Sequence, residues 1–297
     1  MLTALSIRPD NAGCFRFRRN ALNDTTVVIV TKSLVRFGAM ALFSAVVAGC
    51  SSFGNSAEKV DDAPQTTTQA NSENPLRYRA RVHTELGANY FQRGQMAVAL
   101  EELNEAIRLD AKYGVAHSIL GLVYADLGDL AKAETSFKLA VSVAPSEGEI
   151  RNNYGSFLCR QNRAKEGLEQ FDTALRLPLY TTPNIALENA GSCALAASLI
   201  RPADAYFNRL VQVQPFNSRG YQGLAAIALK TARFDEVRRQ VRMGLNAQPT
   251  SAELYFYGAC AERSLGDKAT EDSYTQQLRS RYAESPLNEQ LRKGGCD

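Results

Sequence analysis

Residues 114–147 read GVAHSILGLVYADLGDLAKAETSFKLAVSVAPSE. Within them, Leu120-Gly121 is followed by Tyr124, Gly128, Ala133, Phe137, Ala140 and Pro145. Displaced by 34 positions toward the N-terminus stand Leu86-Gly87, Tyr90, Gly94, Ala99, Leu103 and Ala106. Displaced by 34 toward the C-terminus stand Tyr154-Gly155, Leu158, Gly167, Phe171 and Ala174. A period held over three successive units is the mark of stacked supersecondary units that bury a continuous core between neighbours.

These residue types at these spacings are those of the tetratricopeptide repeat (TPR), a pair of antiparallel helices. Small residues at the eighth and twentieth positions let the two helices approach closely. The aromatic at the twenty-fourth fills the space toward the neighbour, and the proline near the end forbids continuation of the second helix. A fourth unit, displaced by two residues near Thr182-Pro183, carries Gly191, Ala203, Phe207 and Pro215. A fifth keeps mainly Leu224 and Pro249, and a sixth keeps Tyr255 and Gly266. Degenerate last units suit the caps of a solenoid. The expected fold is all-α, a right-handed TPR superhelix of about six helix-turn-helix repeats over residues 77–286, with a C-terminal tail at 287–297. Ala and Leu recur through most of the chain and tryptophan is absent, a composition that favours helices over strands.

The N-terminal part reads differently. Residues 37–47, FGAMALFSAVV, follow Lys32 and Arg36. As a helix this run reaches roughly 16 Å, too short for a bilayer core of about 30 Å, and it matches the apolar region of a signal peptide. Val47-Ala48-Gly49-Cys50 resembles the lipobox of bacterial lipoproteins, in which the cysteine becomes the lipidated first residue. Ser51 stands where an Asp tends to hold such proteins at the inner membrane, so the resemblance implies a lipid anchor at Cys50 in the outer membrane, on the periplasmic face. Residues 1–49 are then an N-terminal extension and signal peptide, and a start at Val27, Val28 or Val30 would leave a conventional one. Residues 50–76 are polar, too poor in large apolar groups to offset their ordering entropy, and are expected to form a flexible tether.

The formal net charge of +3 belongs largely to the leader, where six basic side chains face Asp10 and Asp24; the rest of the chain carries −1. A near-neutral chain of interspersed sign has no electrostatic footprint for nucleic acid. No G-x-S-x-G, phosphate-binding loop, H-E-x-x-H or glycine-rich dinucleotide motif occurs, and Glu101, Glu102 and Glu105 read as a solvated helix face. Neither a catalytic constellation nor a small-molecule substrate is indicated, and no cofactor. His83 and His117, 34 apart, hold the same repeat position on helices on the order of 10 Å apart; that is too far to share a metal, so both are expected to pack. The six cysteines include no CxxC pair, and no metal site is expected. Cys159 and Cys193 fall on neighbouring first helices. In an oxidising periplasm a bridge between them is geometrically open, the alternative being two buried free thiols.

First-helix positions 2, 5, 9, 12 and 13 of a TPR usually line a concave groove. Here they include Phe91, Leu122, Asn152, Arg160 and Glu188, which are the candidate protein-binding residues. Asn152 and Arg160 share a helix face and could hold a peptide backbone and an acidic group. Asn153 is expected to tie adjacent repeats together.

The strings Asn152-Asn153-Tyr154-Gly155-Ser156-Phe157-Leu158-Cys159 and Glu188-Asn189-Ala190-Gly191-Ser192-Cys193, with the lipobox, tether and repeats, resemble the type IV pilus biogenesis/stability lipoprotein family, PilF/PilW. The resemblance covers about residues 32–286 and implies a pilotin-like role: helping the pilus secretin subunit reach the outer membrane and form multimers there. The alternative from the residues alone is a TPR lipoprotein adaptor for peptidoglycan hydrolases or envelope growth.

Overall fold

The structure, a computed structural model, describes residues 8–9, 15–16 and 74–296. The expected signal segment, Cys50 and almost all of the expected tether lie outside the described residues. Arg8–Pro9 (β1) and Phe15–Arg16 (β2) form a two-residue antiparallel ladder. Thirteen helices follow among the described residues. They are α1 (Pro75–Gln92), α2 (Met96–Leu109), α3 (Gly114–Asp126), α4 (Leu130–Val143), α5 (Gly148–Arg160), α6 (Ala164–Arg176) and α7 (Pro183–Ala196). The rest are α8 (Ile200–Val213), α9 (Ser218–Lys230), α10 (Phe234–Ala247), α11 (Ala252–Leu265), α12 (Lys268–Arg281) and α13 (Pro286–Arg292). None of these helices is long and apolar enough to cross a membrane.

Helices α1 to α12 pair in chain order as six hairpins, and each odd-numbered helix also packs against the next odd one. That is the arrangement of a TPR solenoid. The chain enters it at Asn74, whose side chain accepts a hydrogen bond from the Leu76 backbone N–H, with Pro75 in the first turn. Proline is well placed there, because the N–H it lacks would have no helical partner.

Two rules of spacing hold the repeats together. The first pairs a glycine with a bulky side chain 16 residues on: Gly87 with Leu103, Gly121 with Phe137, Gly155 with Phe171, Gly191 with Phe207 and Gly258 with Tyr274. A Cβ at Gly121 would lie 3.0 Å from two ring atoms of Phe137, and one at Gly155 would lie 2.9 Å from the Gly167 carbonyl oxygen. The ring thus sits directly on the backbone of the opposite helix. The fifth repeat breaks this rule, with Ala225 and Val241 at the equivalent positions, both fully buried.

The second rule concerns the turn inside each hairpin. Gly94, Gly128, Asn162, Ser198, Ala232 and Gly266 all take positive φ, between 54° and 82°. All six turns therefore share one left-handed residue, although only three are glycine. The interval is 34 residues throughout except between Asn162 and Ser198, where it is 36. The two extra residues fall in the loop 177–182 between α6 and α7.

The C-terminal tail is a built element. Ser285 caps α13 by accepting from the Leu287 N–H. Leu287 and Leu291 are buried in a cluster with Tyr255, Phe256, Cys260 and Leu278, and a disulfide joins Cys260 to Cys296 with Cα atoms 5.6 Å apart. A short helix thus covers the apolar face that the last repeat would otherwise expose.

Candidate protein-binding site

The structure redistributes the expected groove residues. Phe91 and Leu122 are core side chains, not groove contacts: both are buried, in one cluster with Leu120, Phe137, Tyr154, Phe157 and Leu158. The physical reason is the position of α3. It packs against α1, α2, α4 and α5, and ten of its thirteen residues are buried. A helix apolar all round is enclosed all round, which leaves no open wall at this end of the seam.

Asn152 is likewise committed to the fold. It is buried, and its side-chain carbonyl oxygen accepts from Asn189 Nδ2 at 3.0 Å. Beside it, Asn153 Nδ2 donates to Ser118 Oγ at 3.2 Å, so neighbouring asparagines bond in opposite directions along the solenoid. Arg160 is half-buried in the last turn of α5. Cys159 and Cys193 are joined in a disulfide between α5 and α7, with Cα atoms 5.7 Å apart. The two histidines have separate partners. His83 Nδ1 lies 2.7 Å from Glu102 Oε2, and the buried His117 has Nε2 2.9 Å from the Ala111 carbonyl oxygen.

Of the five, Glu188 borders a cleft. This cleft, open and about 620 Å³ in volume, is lined by Glu188, Val213, Pro215, Phe216, Arg219 and Gln248, among others. Glu188 Oε1 stands 3.9 Å from Arg219 Nε, so one wall carries an acid and a base. Val213, Pro215 and Phe216 add apolar lining to the same cleft. Phe216 is 86% exposed, yet it stands on a pinned loop. Tyr221 donates its hydroxyl to the Pro215 carbonyl at 3.0 Å, and Asn217 bonds both Gln214 Oε1 and the Arg219 N–H. Ser218 Oγ donates to Gln248 Oε1 at 3.1 Å, closing the floor.

The preceding inter-repeat loop does the same with Leu179, which is 87% exposed. Its neighbour Tyr180 is buried against Gly148, where a Cβ would meet Tyr180 Cδ2 at 2.4 Å. Burial pushes the Tyr180 phenol up to about 12, so it remains neutral at physiological pH. The two-residue insertion therefore plants one aromatic in the core and presents one leucine to solvent. Periodicity missed both Leu179 and Phe216. At Phe216 the available signal was an apolar residue beside Pro215 in a turn otherwise made of polar residues; Leu179, between Leu177-Pro178 and Tyr180, carried no such signal.

The tetratricopeptide-repeat model TPR_11 matches residues 87–128, and a second, TPR_8, matches residues 116–147. An uncharacterized protein of Haemophilus influenzae is 29% identical over 144 residues, covering 47% of this chain and 80% of the relative. The type IV pilus assembly protein PilF of Pseudomonas aeruginosa is 24% identical over 216 residues, 71% of this chain and 86% of that protein. The crystal structure of PilW, described as a widely conserved type IV pilus biogenesis factor, superposes with a TM-score of 0.65 at 27% identity. The match covers 74% of this chain and all of that one. The chain is a tetratricopeptide-repeat protein, and the type IV pilus biogenesis factors PilF and PilW are its homologues.

Proposed function

We propose that this protein is an outer-membrane lipoprotein that acts by binding other proteins, and that it assists type IV pilus biogenesis by promoting outer-membrane localisation and multimerisation of the secretin subunit. The observation that carries this reading is the likeness to PilF and PilW over 71% and 74% of the chain. The lipobox at Val47-Ala48-Gly49-Cys50 supports anchoring. The cleft lined by Val213 and Phe216 together with Glu188 and Arg219 supports capture of a protein segment that brings apolar side chains and paired charges. Rigid aromatic anchors on a pinned loop lose little conformational freedom on binding, which suits a contact dominated by a few residues.

Two measurements test the reading. A clickable fatty acid should label the wild type and leave Cys50→Ala unlabelled. Loss of the gene should remove secretin multimers from the outer membrane while the monomer is still made. Normal multimers and piliation, with altered cell shape or wall turnover, would sink the secretin reading and favour an adaptor of peptidoglycan hydrolases.

A further inference from the structure

The two ends of the solenoid are finished differently. At the C-terminal end α13 covers α11. At the other end α1 packs against α2 and α3 through Ala80, Thr84, Gly87, Ala88 and Phe91. Its opposite face carries Tyr78, Val82 and Leu86, each four residues from the next and so aligned along one stripe. Tyr78 is 52% exposed and Leu86 39%. Terminal repeats normally turn a polar face outward; this one is mixed, with Arg79 and Asn89 exposed beside Tyr78 and Leu86.

The charge around the stripe is also one-sided. Helix α1 carries Arg77, Arg79 and Arg81 against Glu85 alone. Arg79 is exposed at the edge of the stripe. Arg81 lies over the Tyr78 ring at 5.1 Å, and Arg77 over the Tyr113 ring at 5.2 Å beside Asp110. An apolar stripe with a phenol at the tip and a flank of guanidinium groups matches an interface with hydrocarbon within reach and phosphate around it. Cys50 lies 25 positions before Pro75, so the chain between them reaches at most about 85 Å. An anchor there would keep α1 within that reach of the membrane.

We propose that the Tyr78–Val82–Leu86 face of α1 lies on an anionic phospholipid surface. The lipid anchor and this face then hold the solenoid by one end, with the Leu179 and Phe216 edge, far along the chain, left for protein partners. Each arginine near such a surface strengthens the contact about fivefold. The proposal rests on the membrane-anchored reading, and the test separates the two.

The chain contains no tryptophan, so Tyr78→Trp supplies a single fluorophore. The full-length protein, extracted from cell membranes, is reconstituted in vesicles of phosphatidylethanolamine and brominated phosphatidylglycerol. The indole of the Tyr78→Trp variant should lose roughly half its emission, whereas that of Met243→Trp, on the exposed side of α10, should lose none. Replacing the brominated phosphatidylglycerol by equally brominated phosphatidylcholine, or Arg77, Arg79 and Arg81 by Gln, should abolish the loss. An unquenched indole in Tyr78→Trp protein with a native circular dichroism spectrum overturns the proposal. So does a blue-shifted emission that tracks protein concentration but ignores the brominated lipid, which would assign the stripe to a second copy of the chain. The mass of the N-terminal peptide reports the anchor independently. Quenching without lipid on Cys50 keeps the α1 contact and removes the anchor, and lipid without quenching does the reverse.

Discussion

Asn189 donates its side-chain amide to the Asn152 side-chain carbonyl across 37 residues of sequence, at 3.0 Å and out of contact with solvent. The bond joins α5 to α7 at the boundary that also holds the Cys159–Cys193 disulfide and the two-residue insertion. A period of 34 breaks here, and side-chain bonds take over the registration that uniform packing supplies elsewhere. Replacing either asparagine by Ala strands a buried polar partner, which costs about 1–3 kcal/mol. Urea denaturation of Asn152→Ala, Asn189→Ala and the double variant checks this. The double variant should lose less than the two single losses combined, and single variants with wild-type midpoints would refute it.

Substitution at the left-handed turns should act with the opposite sign. Ala232 holds φ at 54° where its counterparts Gly94, Gly128 and Gly266 hold 73–82°. An L side chain in that region costs about 1–2 kcal/mol, and the glycine alternative loses part of this gain through a freer unfolded chain. Ala232→Gly should therefore raise stability by about 0.5–1 kcal/mol, and Ser198→Gly similarly. Thermal melts showing either variant destabilised would contradict the shared-turn rule.

The cap should respond to loss of its disulfide. Cys260→Ala leaves α13 held by Leu287, Leu291 and the Arg263 contact to the Leu291 carbonyl. Loss of a cross-link closing a loop of this size costs about 2–4 kcal/mol. Limited proteolysis should cleave after Tyr282 in the variant sooner than in the wild type. Equal cleavage rates would mean that packing alone retains the cap.

Short-range, periodic features of the fold were legible in the sequence. The repeat positions of Gly121 and Phe137 and the glycine turns are of this kind, whereas the seating of the Phe137 ring on Gly121 came from the structure. The turns at Ser198 and Ala232 were illegible, because packed neighbours impose a backbone that neither residue prefers. Cys296 lies beyond the periodic segment, so nothing in the repeat pointed to Cys260 as its partner. Phe91 and Leu122 were misassigned because repeat position alone does not say whether the seam at that point is open, and bulky side chains on three successive first helices fill it.

Acid should loosen the last repeat. Burial works against the Glu271 carboxylate, but hydrogen bonds from Arg263 (2.8 Å) and Lys268 (3.3 Å) outweigh it and hold its pKa below the ordinary 4.5. A depressed folded pKa means the ionised form contributes stability above the unfolded value. That contribution disappears as pH falls through the folded one. Melting temperature should decline below about pH 4.5, and Glu271→Gln, already without the charge, should show a shallower acid decline. Parallel acid limbs in the two proteins would exclude Glu271 as a source.

Two aromatic residues should behave in opposite ways. Phe91 is buried in the first cluster, and Phe216 stands almost wholly in solvent on a hydrogen-bonded loop. Phe91→Ala opens a cavity in that cluster and should cost about 3–5 kcal/mol. Phe216→Ala removes no core contact and should change stability by no more than about 0.5 kcal/mol. Function should follow the reverse order once folding is allowed for. Phe216→Ala combined with Leu179→Ala should weaken partner capture at least about tenfold if this edge holds the anchoring contacts. Any loss in Phe91→Ala should track its unfolded fraction and recover on cooling. Pull-down of the secretin subunit, alongside denaturation curves for each variant, makes the comparison. A folded Leu179→Ala, Phe216→Ala protein with undiminished capture would clear this edge of the role and direct the search to the convex even-numbered helices.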